Sequence, residues 1–313
     1  MALKDRIPFG MSLPHRSPDG IDMDAVRAVA QRAEAYGFRD LWVTENTLDH
    51  VTCFDPVVIL TYAAAVTRTI RLGASVLVLP VHDPRMVAHQ WASLDQVSNG
   101  RAIMGVGLGR PRHLQEFQVP EAGRVARFRE AIDLIRGLWR AAPVTHHGRF
   151  FTLDNAALGM RPVQQPVPIW MGGGHPEAIR RSASIADGWM GAGGSSTEDF
   201  RHAVPLLKAA LAQAGRDPED FPISKRIFIA VDENPAAARA DLLRWYTEVY
   251  HSPDDIDTSG IHGTPEQVRA RLEEIIGMGA NHLLLNPVCR HVEQLAALAE
   301  VVGYPSIQTQ RPG

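Results

Sequence analysis

Lysine is scarce in this chain, and cysteine scarcer. Of 32 basic residues only Lys4, Lys208 and Lys225 are lysines: one near a terminus, one within a helical pattern, one at the start of a strand. None stands at the exit of a strand, where a Schiff-base lysine of a barrel enzyme would sit. The two cysteines, Cys53 and Cys289, lie far apart with no CxxC between them, which excludes a disulfide framework and suits a reducing cytoplasm. No uninterrupted apolar run could span a bilayer, and the opening MALKDRIPFG lacks the apolar region of a signal peptide, so a cytoplasmic location is expected. Charge of one sign is also missing. A net charge of −3 provides no electrostatic reason to expect a nucleic acid or an anionic membrane as partner. Neither a GxSxG elbow nor an HExxH helix occurs, which removes two hydrolase chemistries.

What the chain does have is strand and helix signals in alternation. LGASVLVLP reads as a buried strand closed by Pro80. MVAHQWASLDQVS carries apolar residues at helical spacing and stops at Asn99-Gly100, and RAIMGVGLG returns as a second buried strand. The same rhythm predicts strands near 7–13, 41–44, 70–79, 101–106, 168–171, 188–190, 225–231 and 283–286, with helices between them. Eight strands joined by right-handed helical crossovers predict a single (β/α)8 TIM barrel over residues 1–313. The main insertions are 142–166, where GRFFTL suits a small hairpin, and the polar stretch 251–263.

In such barrels the active site lies at the C-terminal ends of the strands. That rule collects His15 and Arg16 after the first strand, and Glu45, Asn46, Asp49 and His50 after the second. It adds His82-Asp83 after the third, Gly107-Leu108-Gly109-Arg110 after the fourth, and Arg290-His291 after the last. Two further exits look built for an anion. WMGGGHPEAI runs through Gly172, Gly173 and Gly174 into a helix with Pro176 in its first turn. GAGGSSTEDF repeats the device with Gly193, Gly194 and Ser195. Glycines let backbone N–H groups approach an oxyanion, and a helix N-terminus adds partial positive charge. The plainer use of the second segment is a capping box, Ser195 with Glu198 or Ser196 with Asp199. GVGLG is not a dinucleotide fingerprint, since its spacing is GxGxG and Pro111 follows. Gly107 and Gly109 suit close approach of the backbone to a flat ring. A metal-dependent hydrolase remains open at this point, with His15, His50, His82 and Asp83 as ligands.

YGFRDLWVTEN, the segment LGASVLVLPVHDPRMVAHQWASLDQVSNGRAIMGVGLG, FREAIDLIRGLW, PVQQPVPIWMGGGHPEAIRRSASIADGW and GTPEQVRARLEEIIGMGANHLLL together resemble the landmarks of the luciferase-like monooxygenase family, in order. The resemblance implies a barrel that binds coenzyme F420 or reduced FMN at its C-terminal rim. It also implies a cis peptide at Ser75–Val76 behind the ring, a small-molecule substrate and a homodimer built through helices near the second and third crossovers. It implies hydride transfer between F420 and an organic substrate. Within the family the alternative is a two-component monooxygenase taking reduced FMN from a partner reductase. Two departures qualify it. Glu45-Asn46 stands where the family often has Asp-His, and Asn46 cannot titrate near neutral pH, so proton transfer falls to His50 or Glu45. A third possibility is therefore a flavin-binding protein that has lost catalysis. Arg110 stands where sugar-phosphate dehydrogenases of the family carry an acid. Glu45, Asn46, His50, His15 and Arg110 are thus the candidate catalytic residues. The phosphate is expected on Gly173, Gly174 and the Gly193–Ser195 loop, with charge from Arg290 or Arg180.

Overall fold

Strand registers close the sheet on itself. The computed structural model describes residues 1–140 and 142–307, so the last six residues of the expected domain lie outside the described ones. Eight parallel strands form the barrel. They are β1 (Phe9–Ser12), β2 (Asp40–Val43), β3 (Arg71–Ala74), β4 (Ala102–Gly107), β5 (Ile169–Gly172), β6 (Gly188–Gly191), β7 (Ile223–Val231) and β8 (His282–Pro287). Each pairs with the next, and β8 returns to β1 through Phe9↔Leu283. A (β/α)8 barrel is the result, as the alternation of signals predicts.

Alternation along each strand decides what faces in. Trp42, Ile103, Trp170, Met190 and Leu284 form a cluster inside the barrel, while the larger apolar core lies between strands and helices. Two tryptophans fill the interior because glycines on neighbouring strands leave them room. A Cβ at Gly73 would lie 2.4 Å from the Trp42 ring, and one at Gly188 2.6 Å from Trp170. Helices start where short polar residues can cap them: Asp22, Asp55 and Asp83 each accept a backbone N–H of the first turn.

The N-terminal end of the barrel is sealed by a polar network. Ser224 Oγ lies 2.7 Å from His282 Nδ1, and His282 Nε2 lies 3.0 Å from Asp40 Oδ1, which also accepts from Trp42 Nε1. Arg39 pairs with the other Asp40 oxygen. A Ser–His–Asp order of this kind invites comparison with a hydrolase, but all three residues are fully buried and no substrate reaches them. Burial alone would raise the Asp40 pKa; His282 and Arg39 outweigh it and keep the carboxylate ionised. Burial draws the His282 pKa below its ordinary range, against the opposing pull of Asp40.

Three local differences from the sequence expectations matter for the site. The third strand is not continuous over 70–79: it ends at Ala74, turns at Ser75–Val76, and resumes as the pair Leu77–Val78 on β4. The Ser75–Val76 peptide is cis, as the family resemblance implies. Pro111 opens a short helix, Pro111–Glu116, where its missing N–H costs nothing. Lys225 is the third residue of β7 rather than its first, and its ammonium is buried under the loop after β6. The hairpin expected from GRFFTL is present, pairing Val144–His147 with Thr152–Ala156. Residues 260–263 form a short strand beside β7.

Candidate active site

A cavity of about 500 Å³ opens at the C-terminal end of the barrel. Every candidate catalytic residue lines it, as do Ser75, Val76, Gly107, Gly109 and Gly172–Gly174. Gly193, Gly194, Ser195 and Arg290 do not.

Position in the cavity is not freedom to react. His15 is buried, with Nδ1 2.7 Å from the Leu13 carbonyl and Nε2 accepting from the Thr44 N–H at 2.7 Å. Burial pushes its pKa down to about 3, so near neutral pH it is an uncharged strut for Thr44, with its one N–H on Nδ1 toward Leu13 and no second proton. Asn46 donates to Thr44 Oγ1 and extends the same chain. Both Glu45 oxygens are engaged: Oε2 accepts from Val78 N at 2.5 Å, and Oε1 lies 2.6 Å from His82 Nε2 and 3.1 Å from Thr47 Oγ1. Burial raises its pKa, but the His82 contact and the Val78 N–H more than offset this. Glu45 therefore fixes the chain just beyond Val76. His50 stands half exposed at the mouth, 3.1 Å from the Glu248 carbonyl and 2.8 Å from His251 Nε2. Arg110 is exposed and lies over the Tyr250 ring.

The four metal-ligand candidates do not converge. His82 is spent on Glu45, Asp83 caps a helix and pairs with Arg85, and His15 holds Thr44. Among the described residues no group of three His, Cys, Asp or Glu side chains is placed to hold a metal ion.

The glycines serve purposes that spacing alone does not reveal. A Cβ at Gly107 would sit 2.6 Å from Val76 Cγ2, and one at Gly172 3.0 Å from Val76 Cγ1. These glycines admit the Val76 side chain, which itself lines the cavity. Gly109 stands in the same relation to Val78, at 2.4 Å. Gly174, in contrast, faces open space. Near it the helix Pro176–Ile185 begins, and Arg181 and Arg124 line the cavity with no ion pair among the described residues.

The second glycine loop, expected from sequence to hold the phosphate, is packed against the protein itself. Gly193 presses on Arg226 and Phe228, and Gly194 on Tyr250. Ser195 Oγ is 2.8 Å from Lys225 Nζ, and Ser196 with Asp199 forms the capping box. The ammonium of Lys225 also donates to the Ala192 and Ser195 carbonyls, and burial pushes its pKa down to about 7. Arg290 is bound to Asp232 and Asp241, and Arg180 to Glu177, so neither is available as the anion's counter-charge.

Sequence reasoning missed Arg226, Tyr250, Arg124 and Arg181. Period-two alternation in ISKRIFIAV places Ser224, Arg226 and Phe228 on one face of β7, and a charge on that face was the available signal. Ala178, Arg181 and Ser182 have helical spacing on the cavity side. Tyr250 follows the helix Pro235–Glu248, and no motif marks it.

A family model described as luciferase-like monooxygenase matches residues 7–260. An F420-dependent glucose-6-phosphate dehydrogenase from Kineococcus radiotolerans is 32% identical over 225 residues, covering 69% of this chain and 66% of the relative. A 5,10-methylenetetrahydromethanopterin reductase from Archaeoglobus fulgidus is 31% identical over 208 residues, covering 66% of this chain and 60% of the relative. This chain thus spans slightly less than two thirds of the length of those relatives. Among solved structures, an F420-dependent secondary alcohol dehydrogenase in complex with an F420–acetone adduct superposes with a TM-score of 0.83 at 22% identity, covering 95% of this chain and 98% of that one. The monooxygenase RslO1 from Streptomyces bottropensis gives 0.82 at 24%, covering 94% and 98%. These two likenesses establish the fold.

Proposed function

The chain belongs to the luciferase-like monooxygenase family, and on that premise we propose that it is an oxidoreductase transferring a hydride between coenzyme F420 and an organic substrate. The observation that carries this reading is the wall built around Val76, a side chain admitted by Gly107 and Gly172 and followed by a backbone held on Glu45. A wall of this kind suits the face of a planar ring. Beyond it, Gly173, Gly174, Arg124 and Arg181 suit a phosphate, because they combine open backbone with unpaired positive charge. F420 is favoured because a relative 32% identical to this chain is an F420-dependent dehydrogenase. When bound, F420 supplies the ring carbon that gives or takes the hydride.

The chain's own residues then orient and exclude. His15 and Asn46 hold Thr44 as a neutral hydrogen-bonding edge, and Glu45 keeps the segment after Val76 in place. His50 stands at the mouth with its side chain 47% exposed.

Direct titration with F420 and with FMN, together with metal analysis, tests this reading. Saturable F420 binding without bound metal is expected; absence of binding to either cofactor overturns it. A second reading, a monooxygenase fed reduced FMN by a partner reductase, draws on the fold shared with the monooxygenase RslO1, while Arg110 argues against a sugar phosphate as the F420-linked substrate. Oxygen consumption with reduced FMN would select it.

Assembly and location complete the proposal. The helix Pro56–Val66, PVVILTYAAAV, is apolar nearly all round, with Val58 64% exposed and Met86 and Val97 exposed on the next helix, so a second copy of the chain is proposed to cover them. Light scattering at twice the chain mass is the expected outcome. Cys53 and Cys289 are unpaired, in keeping with a cytoplasmic protein.

A further inference from the structure

Of the two buried arginines among the described residues, Arg226 has the fewer partners. The residue is 8% exposed, lines the cavity, and has no carboxylate within ion-pair distance among the described residues. Nη1 donates to the Ser75 carbonyl at 2.8 Å and Nη2 to the Tyr250 hydroxyl at 3.1 Å, while Nε has no partner. Two of five N–H donors are therefore used. Neighbouring groups do not neutralise the charge. His15 is uncharged, Lys225 lies on the other face of β7, and the two carboxylates on the cavity wall are committed, Glu45 to His82 and Asp49 to Arg16.

The surroundings are built around this cation. Its guanidinium lies 5.0 Å over the Phe228 ring. Phe228 in turn packs against Trp245 and Tyr250 at 5.7 and 4.8 Å. Gly193 and Gly194 let the loop after β6 press on the cluster, since a Cβ at either would come within 2.7 Å of Arg226 Nε or of the Tyr250 ring. Tyr250 accepts from Arg226, which leaves its own hydrogen free to donate. A buried positive charge with spare donors, next to a hydroxyl donor and an aromatic wall, is complementary to a negatively charged oxygen on an apolar body.

We propose that Arg226 and Tyr250 anchor an anionic oxygen of the substrate, and that the substrate class is organic acids with an aromatic or otherwise apolar body lying against Phe228 and Trp245. The word substrate rests on the oxidoreductase reading above; the anion site itself does not. A cofactor ring oxygen offers the same chemistry, and the experiment separates the two sources.

Benzoate and phenylacetate, with benzamide and benzyl alcohol as neutral counterparts, are titrated into the full chain by calorimetry, with and without F420 or FMN. Carboxylates are expected to bind at least twentyfold more tightly than the neutral compounds. Arg226→Gln should abolish that preference and Tyr250→Phe should reduce it about fivefold, while cofactor affinity stays within threefold in both. Equal binding of benzoate and benzamide by the parent chain overturns the proposal, and this comparison needs no variant if Arg226→Gln fails to fold. Loss of cofactor affinity by tenfold or more in Arg226→Gln or Tyr250→Phe, with no carboxylate preference in the parent, assigns the anion to the cofactor and also overturns it. A carboxylate preference without binding of either cofactor supports the site and defeats the oxidoreductase reading alone.

Discussion

Arg101 and Arg226 are buried to nearly the same degree, 7% and 8% exposed, and neither has a carboxylate partner. Arg101, at the N-terminal end of the barrel, donates through Nε to Ser98 O, through Nη1 to Thr67 Oγ1 and Ile70 O, and through Nη2 to Ala64 O and Thr67 O. All five hydrogens are placed. Arg226, at the other end, places two. The same residue type is thus a completed joint at one end and an unfinished one at the other. Closed networks such as Arg101 and Ser224–His282–Asp40 describe the part of the barrel that only has to stay folded. An incomplete one that opens on the cavity, as at Arg226, is where the proposed anion would sit; Arg39 Nη2 also lacks a partner but lies at the sealed end.

The widest gap should appear in stability. Arg101→Met strands several buried acceptors and is expected to cost about 3–5 kcal/mol in urea unfolding, whereas Arg226→Met removes an uncompensated charge and should fall within about 1 kcal/mol of the parent. Equal losses would break the comparison. Next comes pH. The His15 pKa is lowered to about 3, so between that value and its unfolded value near 6.5 the unfolded chain binds the extra proton. Stability is therefore full above pH 6.5 and falls on acidification, by about 2–3 kcal/mol at pH 4.5, and His15→Gln should flatten that part of the curve. Gly174→Asp tests the phosphate end. A Cβ at this position meets nothing within 4 Å, so the melting temperature should hold while cofactor affinity drops by about one order of magnitude or more. The smallest effect is expected at the mouth. His50 is half exposed and held by the Glu248 carbonyl, so His50→Ala should lower turnover less than tenfold; a hundredfold loss would restore it as the acid or base.

Most of the barrel was legible because burial on both faces leaves long apolar strands and because capped helices announce their starts. The interruption of the third strand was not legible in the residue pattern, since LGASVLVLP reads as one continuous strand; only the family resemblance pointed to a cis peptide at Ser75–Val76. Arg290 was misread for a different reason. Its position after β8 is right for the rim, but its partners Asp232 and Asp241 come from 58 and 49 residues away, and such pairing leaves no local trace. The Gly193–Gly194 pair illustrates the limit of composition: glycine signals that something approaches closely, and only the fold shows that it is Arg226 and Tyr250. Arg226 itself was hidden by its neighbour. Lys225 and Arg226 look like one basic dipeptide, yet β-strand alternation sends them to opposite faces.

Gly107, Val76 and Gly172 have a consequence for how this chain can change. The two glycines lend their missing side chains to a single valine, so the three positions share one volume. Adding a methyl at 107 while Val76 remains forces a clash at 2.6 Å. The same methyl after Val76→Ala meets space already vacated. Substitutions here are therefore order-dependent: a path that shrinks position 76 first stays open, and the reverse path is closed at its first step. A library selected for folding that randomises these sites one at a time will accept a smaller residue at 76 and keep the glycines fixed, and only paired libraries will show that the fixity belongs to the valine.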